Sequence, residues 1–142
     1  MAIHPAHKYK YFLSAWNSDH SSAAGLWQGL TDAGVEVFWA KKNLQRESTG
    51  LPWLTAMEIA LSESKHLLLV ASPNGIGTKF VQAEYQAFYA KFMKPPERRL
   101  IPLLTPNMVV EQMPLFLQQL QSHDLSLEEH DLQSLIEKLK IL

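Results

Sequence analysis

The chain has 142 residues, 46% apolar and 19% charged: enough for one domain with a real core, and too apolar for a disordered chain. A net charge of −1, with no basic stripe beyond Lys41-Lys42 and Arg98-Arg99, argues against a general polyanion binder and against direct nucleic-acid contact. Cysteine is absent, which excludes a disulfide framework and a thiolate metal site and is compatible with a reducing cytosol; no signal-peptide run and no membrane-length apolar stretch occur.

Taken in chain order, "YKYFLSA" from Tyr9 predicts a strand, after a short N-terminal extension of residues 1–8. Ala23, Leu26, Trp27 and Leu30 recur at helical spacing, with Asp19 or Ser21 as cap and Gly34 as stop. "VEVFWA" from Val35 is a second strand. The polar stretch "KKNLQRESTGLP" is long enough for a functional loop, and Pro52 suits the first turn of a helix burying Trp53, Ala56, Met57, Ala60 and Leu61. "HLLLVAS" from His66 is continuously apolar, as in a strand covered on both faces. A helix follows the loop "PNGIG" and runs to about Phe92. "RRLIPLL" predicts a fourth strand, Pro114–Leu120 a short helix, and "QSHDLS" an edge strand. Ser126 with Glu129 forms a capping-box pattern ahead of a closing helix from Leu127 to about Lys140. That helix runs nearly to Leu142, which leaves open that the chain is one domain of a longer protein.

Strands alternating with helices define an α/β domain with a parallel sheet and, through right-handed crossovers, helices on both faces. Ligands of such sheets bind beyond the carboxyl ends of the strands, here Ser14–Asn17, Trp39–Leu44 and Ser72–Gly77. Familiar site motifs are missing. "SAWNSDHSS" has no glycine for a dinucleotide fingerprint, and "NGIGTK" lacks the P-loop spacing and ending. The six histidines form no helical i,i+4 pair with acidic support, so no metal site is expected, and no nucleophile-elbow glycines flank Ser14 or Ser72.

One carboxylate stands out. In the helix "KFVQAEYQAFYAKF", Val81, Tyr85, Phe88, Tyr89 and Phe92 define a core-facing stripe. Glu84 lies on its border, with Phe80 and Phe88 each about 40° away around the helix. Periodicity alone favours a boundary residue, paired with Lys91 or snorkelling to solvent, over a functional acid.

The order of these pieces resembles a TIR (Toll/interleukin-1 receptor) domain. "YKYFLSAW" is similar to the family's first-strand box F-I-S-Y, and "GVEVFWAKKNLQRESTGLPW" to its second strand and BB loop. "WLTAMEIALSESKHLLLVASPN" resembles the helix and strand that end in Ser-Pro. "KFVQAEY" resembles the W-x-x-x-E segment, "RRLIPLLT" the fourth strand, and "PLFLQQLQSHDLS" the stretch before the last helix. The likeness covers residues 8 to 140, with a TIR domain at 9–142, and is closer to bacterial TIR proteins than to animal receptor adaptors. Phe80 replaces the motif tryptophan, Ala40 a frequent aspartate, and Ala15 a common tyrosine.

The resemblance implies a flavodoxin-like three-layer sandwich with a central parallel sheet of about five strands. It implies an NAD⁺ glycohydrolase or cyclase that splits the nicotinamide–ribose bond, with NAD⁺ as substrate rather than cofactor, Glu84 as the catalytic acid and no metal. Ser14 and Ala15 at the first strand's end, Trp39, Asn43 and Leu44 in the BB loop, and Phe80 are the implied nucleotide-binding positions. Plainer roles stay open for them: Trp39 packing, Ser14 capping a turn, Asn43 solvated. The resemblance further implies a cytoplasmic effector of bacterial antiphage defence or signalling, beside or fused to a sensor. Its activity would need self-association through the BB loop, Lys41 to Pro52, and neighbouring helices. Two alternatives are a non-catalytic adaptor working through homotypic contacts, and a related α/β N-glycosidase that cleaves nucleosides and leaves NAD⁺ intact.

Overall fold

The structure, a computed structural model, describes residues 7–42, 53–126 and 128–142. Five strands, β1 (Tyr9–Ser14), β2 (Val37–Trp39), β3 (Ser64–Ala71), β4 (Leu100–Leu104) and β5 (His123–Asp124), make one sheet in the order β2-β1-β3-β4-β5. Every pairing is parallel; Phe12 sits beside Phe38 and Leu67, and Leu69 beside Pro102. Among the described residues the helices α1 (His20–Asp32), α2 (Trp53–Ser62), α3 (Lys79–Lys91), α4 (Leu115–Gln118) and α5 (Glu129–Lys140) flank this sheet. This is the expected flavodoxin-like sandwich.

The strand period of two sorts the sheet into two cores. Phe12, Leu67, Leu69 and Ala71 face α2 and α3, joining Met57, Leu61, Val81, Tyr85 and Phe88. Tyr11, Leu13, Leu68 and Val70 face α1 and α5, joining Leu26, Leu30, Leu135 and Leu139. Leu67 to Ala71 are all fully buried, as an uninterrupted apolar run predicts for a central strand covered on both sides. Each such Leu or Val contributes about 1.5–3 kcal/mol by leaving water.

Several expectations need correction. Asp19 holds the cap position of α1, but its carboxylate makes no cap hydrogen bond and goes elsewhere. Gly34 does end the turn after α1, in the left-handed region at φ 85°. The capping box at Ser126 does not form: its hydroxyl accepts from Glu128 N at 3.2 Å, and α5 starts at Glu129 with no side-chain cap. Tyr89, placed on the buried stripe of α3, is 45% exposed and packs edge-on against Phe116. Asn43, Leu44, the BB loop beyond Lys42 and residues 1–6 lie outside the described residues.

The two cores give a stability prediction. Leu69→Ala, on the buried central strand, is expected to cost about 2–5 kcal/mol in chemical denaturation. Leu115→Ala, at a position 78% exposed, should stay within about 0.5 kcal/mol of the parent. Equal losses would contradict the assignment of β3 to the core.

Candidate active site

In the order β2-β1-β3-β4-β5 the chain reverses direction across the sheet between β1 and β3, and the loops leaving their carboxyl ends diverge there. The residues that gather at this switch point come from three segments: the tip of β1, the loop after β3, and the first turns of α3.

Ser14 is the last residue of β1. Strand alternation turns it to the α3 face, where its hydroxyl donates to Glu84 Oε1 at 2.7 Å. Glu84 is 5% exposed, held by α3 against the sheet. Burial pushes its carboxyl up to about 8, with the Ser14 hydrogen bond opposing the shift by favouring the ionised form. The pairing with Lys91 that periodicity allowed does not occur: Lys91 Nζ binds Glu58 Oε1 at 2.8 Å in an exposed ion pair. Glu84 also lines a cleft of about 490 Å³ between α2 and α3, walled by Met57, Leu61, Phe80 and Ala87, with Lys79 and Glu58 also on its lining. Its second oxygen, Oε2, has no hydrogen-bond partner among the described residues.

Phe80 lies one turn before Glu84 on the same cleft, half-buried, with its ring 6.4 Å from that of Trp16. It is the aromatic that the site keeps. Trp39 and Ala15 face the other side of the sheet. Both belong to the α1-face core. Trp39 is 2% exposed, its ring against those of His20 and Trp27.

A second set of contacts fixes the loops. Ser72, just beyond β3, donates to Asp19 Oδ2 at 2.5 Å and accepts from Gly75 N at 2.9 Å. Gly75 is needed by close approach: a Cβ there would lie 2.9 Å from Asp19 Oδ2, Ser72 Oγ and Trp16 Cβ alike. Thr78 then caps α3, its hydroxyl accepting from Val81 N and donating to Gly75 O. Thus the loop after β1 and the loop that launches α3 are one hydrogen-bonded unit. No motif marks Asp19 or Ser72 for this role; a serine at the end of a buried strand is the only sequence signal. Among the described residues no group of three or more His, Asp or Glu side chains could hold a metal ion.

With this geometry in place, the comparisons with known proteins identify the class. A family model described as "TIR domain" matches residues 12–139, so the chain belongs to the TIR-domain family. Among solved structures it is similar to the TIR domain of the Toll-related receptor TRR-2 from Hydra magnipapillata, with TM-score 0.70 and 18% identity, covering 94% of this chain and 96% of that one. It is also similar to the TIR domains of the activated Roq1 resistosome that recognises the effector XopQ, with TM-score 0.68 and 17% identity over 94% and 98% of the two chains. A TIR-STING receptor from C. gigas, solved with 2',3'-cGAMP, gives TM-score 0.68 and 18% identity over 97% of this chain; the chain spans 41% of that receptor's length. At these identities the likeness concerns the fold. No curated protein matches the chain. No helix among the described residues is long and apolar enough to cross a membrane.

The raised affinity of Glu84 for its proton links to stability. Between about pH 4.5 and 8 the folded chain keeps a proton that the unfolded chain has released, so stability falls as pH rises through that window. Glu84→Gln does not titrate. Its melting point should match the parent near pH 4.5 and exceed it increasingly toward pH 8, each 1 kcal/mol being about 2–8 °C for a chain of this size. A melting-point difference that ignores pH would show that the carboxyl is solvated.

Proposed function

We propose that this domain cleaves the nicotinamide–ribose bond of NAD⁺, with Glu84 as the catalytic carboxylate. The observation that carries the reading is a carboxyl 5% exposed, hydrogen-bonded to Ser14 at a strand tip, on the wall of a cleft large enough for part of a nucleotide. Membership of the TIR family supports it.

The chemistry suits those groups. When the bond from ribose C1′ to the ring nitrogen breaks, its electron pair leaves with nicotinamide, which departs neutral and needs no general acid. The positive charge passes to C1′ and the ring oxygen. A carboxylate beside that carbon stabilises it, strongly so in an apolar cleft where little water screens the pair. Water then adds to C1′ and gives up a proton, yielding ADP-ribose; an adenine nitrogen adding instead yields a cyclic product. Phe80 offers a ring face to the departing base or to adenine, and Ser14 holds the carboxylate in place.

Self-association through the BB loop, Lys41 to Pro52, and neighbouring helices belongs to the same proposal, as does a cytoplasmic role as the effector of a bacterial antiphage defence or signalling protein. The test is therefore made on clustered protein. Glu84→Gln, which keeps the size and the hydrogen bond but not the charge, should lower nicotinamide release by about 100-fold or more, followed by product mass. Unchanged release would remove Glu84 from the mechanism and leave a docking module.

The working form is the ionised one. With the free carboxyl at about 8, kcat/KM should fall about tenfold per pH unit below that value. The cationic nicotinamide ring beside the carboxyl favours its ionisation once substrate is bound, so the corresponding limb of kcat lies at lower pH. A kcat/KM profile flat from pH 5 to 9 would contradict this.

A further inference from the structure

Lys79 opens α3 five residues ahead of Glu84, and both line the same cleft. The other charges there are committed. Glu58 is bound to Lys91, and Glu84 to Ser14. Lys79 is exposed and engages no acid among the described residues. The cleft therefore pairs a carboxyl set deep in its wall with one uncommitted cation on its lining. Five residues separate them along α3, and both side chains reach the one cleft, so a ligand seated there can meet the carboxyl and the ammonium together.

A ribonucleotide has the matching arrangement. Its base leaves from C1′, and its phosphate hangs from C5′ of the same ring. A site that meets a developing cation at C1′ and a fixed anion at the 5′ position needs a carboxylate and an ammonium within reach of one sugar. We propose that Lys79 binds the 5′-phosphate of the ribose being cleaved, and so makes the cleft selective for nucleotides over nucleosides. This rests on the reading of Glu84 as the group that meets C1′. It names Lys79 as the specificity-determining residue, and it separates this domain from an N-glycosidase that takes free nucleosides.

Nicotinamide riboside carries the same scissile bond as NAD⁺ without the phosphate, which makes it the comparison ligand. The non-cleaving Glu84→Gln protein is titrated with each by calorimetry, alone and combined with Lys79→Ala or Lys79→Arg. Lys79→Ala should weaken NAD⁺ binding about 10- to 100-fold, the worth of one charge-assisted hydrogen bond, and change riboside binding less than about twofold. Lys79→Arg should restore most of the loss. In the turnover assay Lys79→Ala should raise KM for NAD⁺ far more than it lowers kcat. An equal loss for both ligands, no loss for either, or no NAD⁺ binding at all overturns the proposal. The two readings fail separately. NAD⁺ binding that depends on Lys79 in a protein that releases no nicotinamide would keep the phosphate site and remove the catalysis. Glu84-dependent turnover indifferent to Lys79 would do the reverse.

Discussion

One hydrogen bond, from Ser14 to Glu84, ties the tip of the strand next to the sheet's centre line to the helix that crosses above it. It is the constraint around which the rest of the site is arranged. Burying a carboxyl among Phe80, Met57 and Leu61 disfavours its charged form, and its proton affinity rises for that reason. The fold tolerates it because the helix is anchored on both sides of the acid. Val81, Tyr85 and Phe88 drive the same surface of α3 into the core, so Glu84 cannot turn outward without lifting them. The destabilised charge is then available to any positive centre that enters the cleft, since such a centre gains what the solvent no longer supplies.

The two faces of the sheet divide the labour. A strand shows alternate residues to opposite sides, so neighbours in the first box part company: Ser14 meets α3, while Ala15 joins the packing under α1. The same parity sends Phe38 toward α2 and α3 and Trp39 toward α1. A tryptophan at the end of a strand is an attractive partner for a nucleotide base, yet here it fills the space between His20 and Trp27. The aromatic surface left for the cleft comes from the helix, at Phe80, backed by Trp16.

The architecture was legible because each strand carried its own signature: aromatic in β1, uninterrupted leucine in β3, with turn residues between. The acid was legible only in part. Periodicity puts Glu84 on the border of the apolar stripe, and whether a border residue turns in or out depends on what lies above it, namely Ser14, seventy positions earlier in the chain. Helix periodicity likewise overestimates Tyr89, which is 45% exposed and meets the ring of Phe116 of the short α4. The cap residues misled for a different reason. Ser126 bonds a nearer amide in its own turn, and Asp19 is drawn away by a hydroxyl from the loop after β3, a competitor that a local pattern cannot contain. Lys79 has no sequence signature at all; it acquires meaning only from sharing a cleft with Glu84.

Asp19, Ser72 and Gly75 have a consequence for how such a domain can change. Two surface loops, each of which would ordinarily accept insertions freely, are here stitched side to side with no room for so much as a methyl group at the seam. Lengthening either would unpick the other. A change in the rim of the pocket therefore disturbs least where it falls outside this stitch, because within it each loop fixes the length of the other.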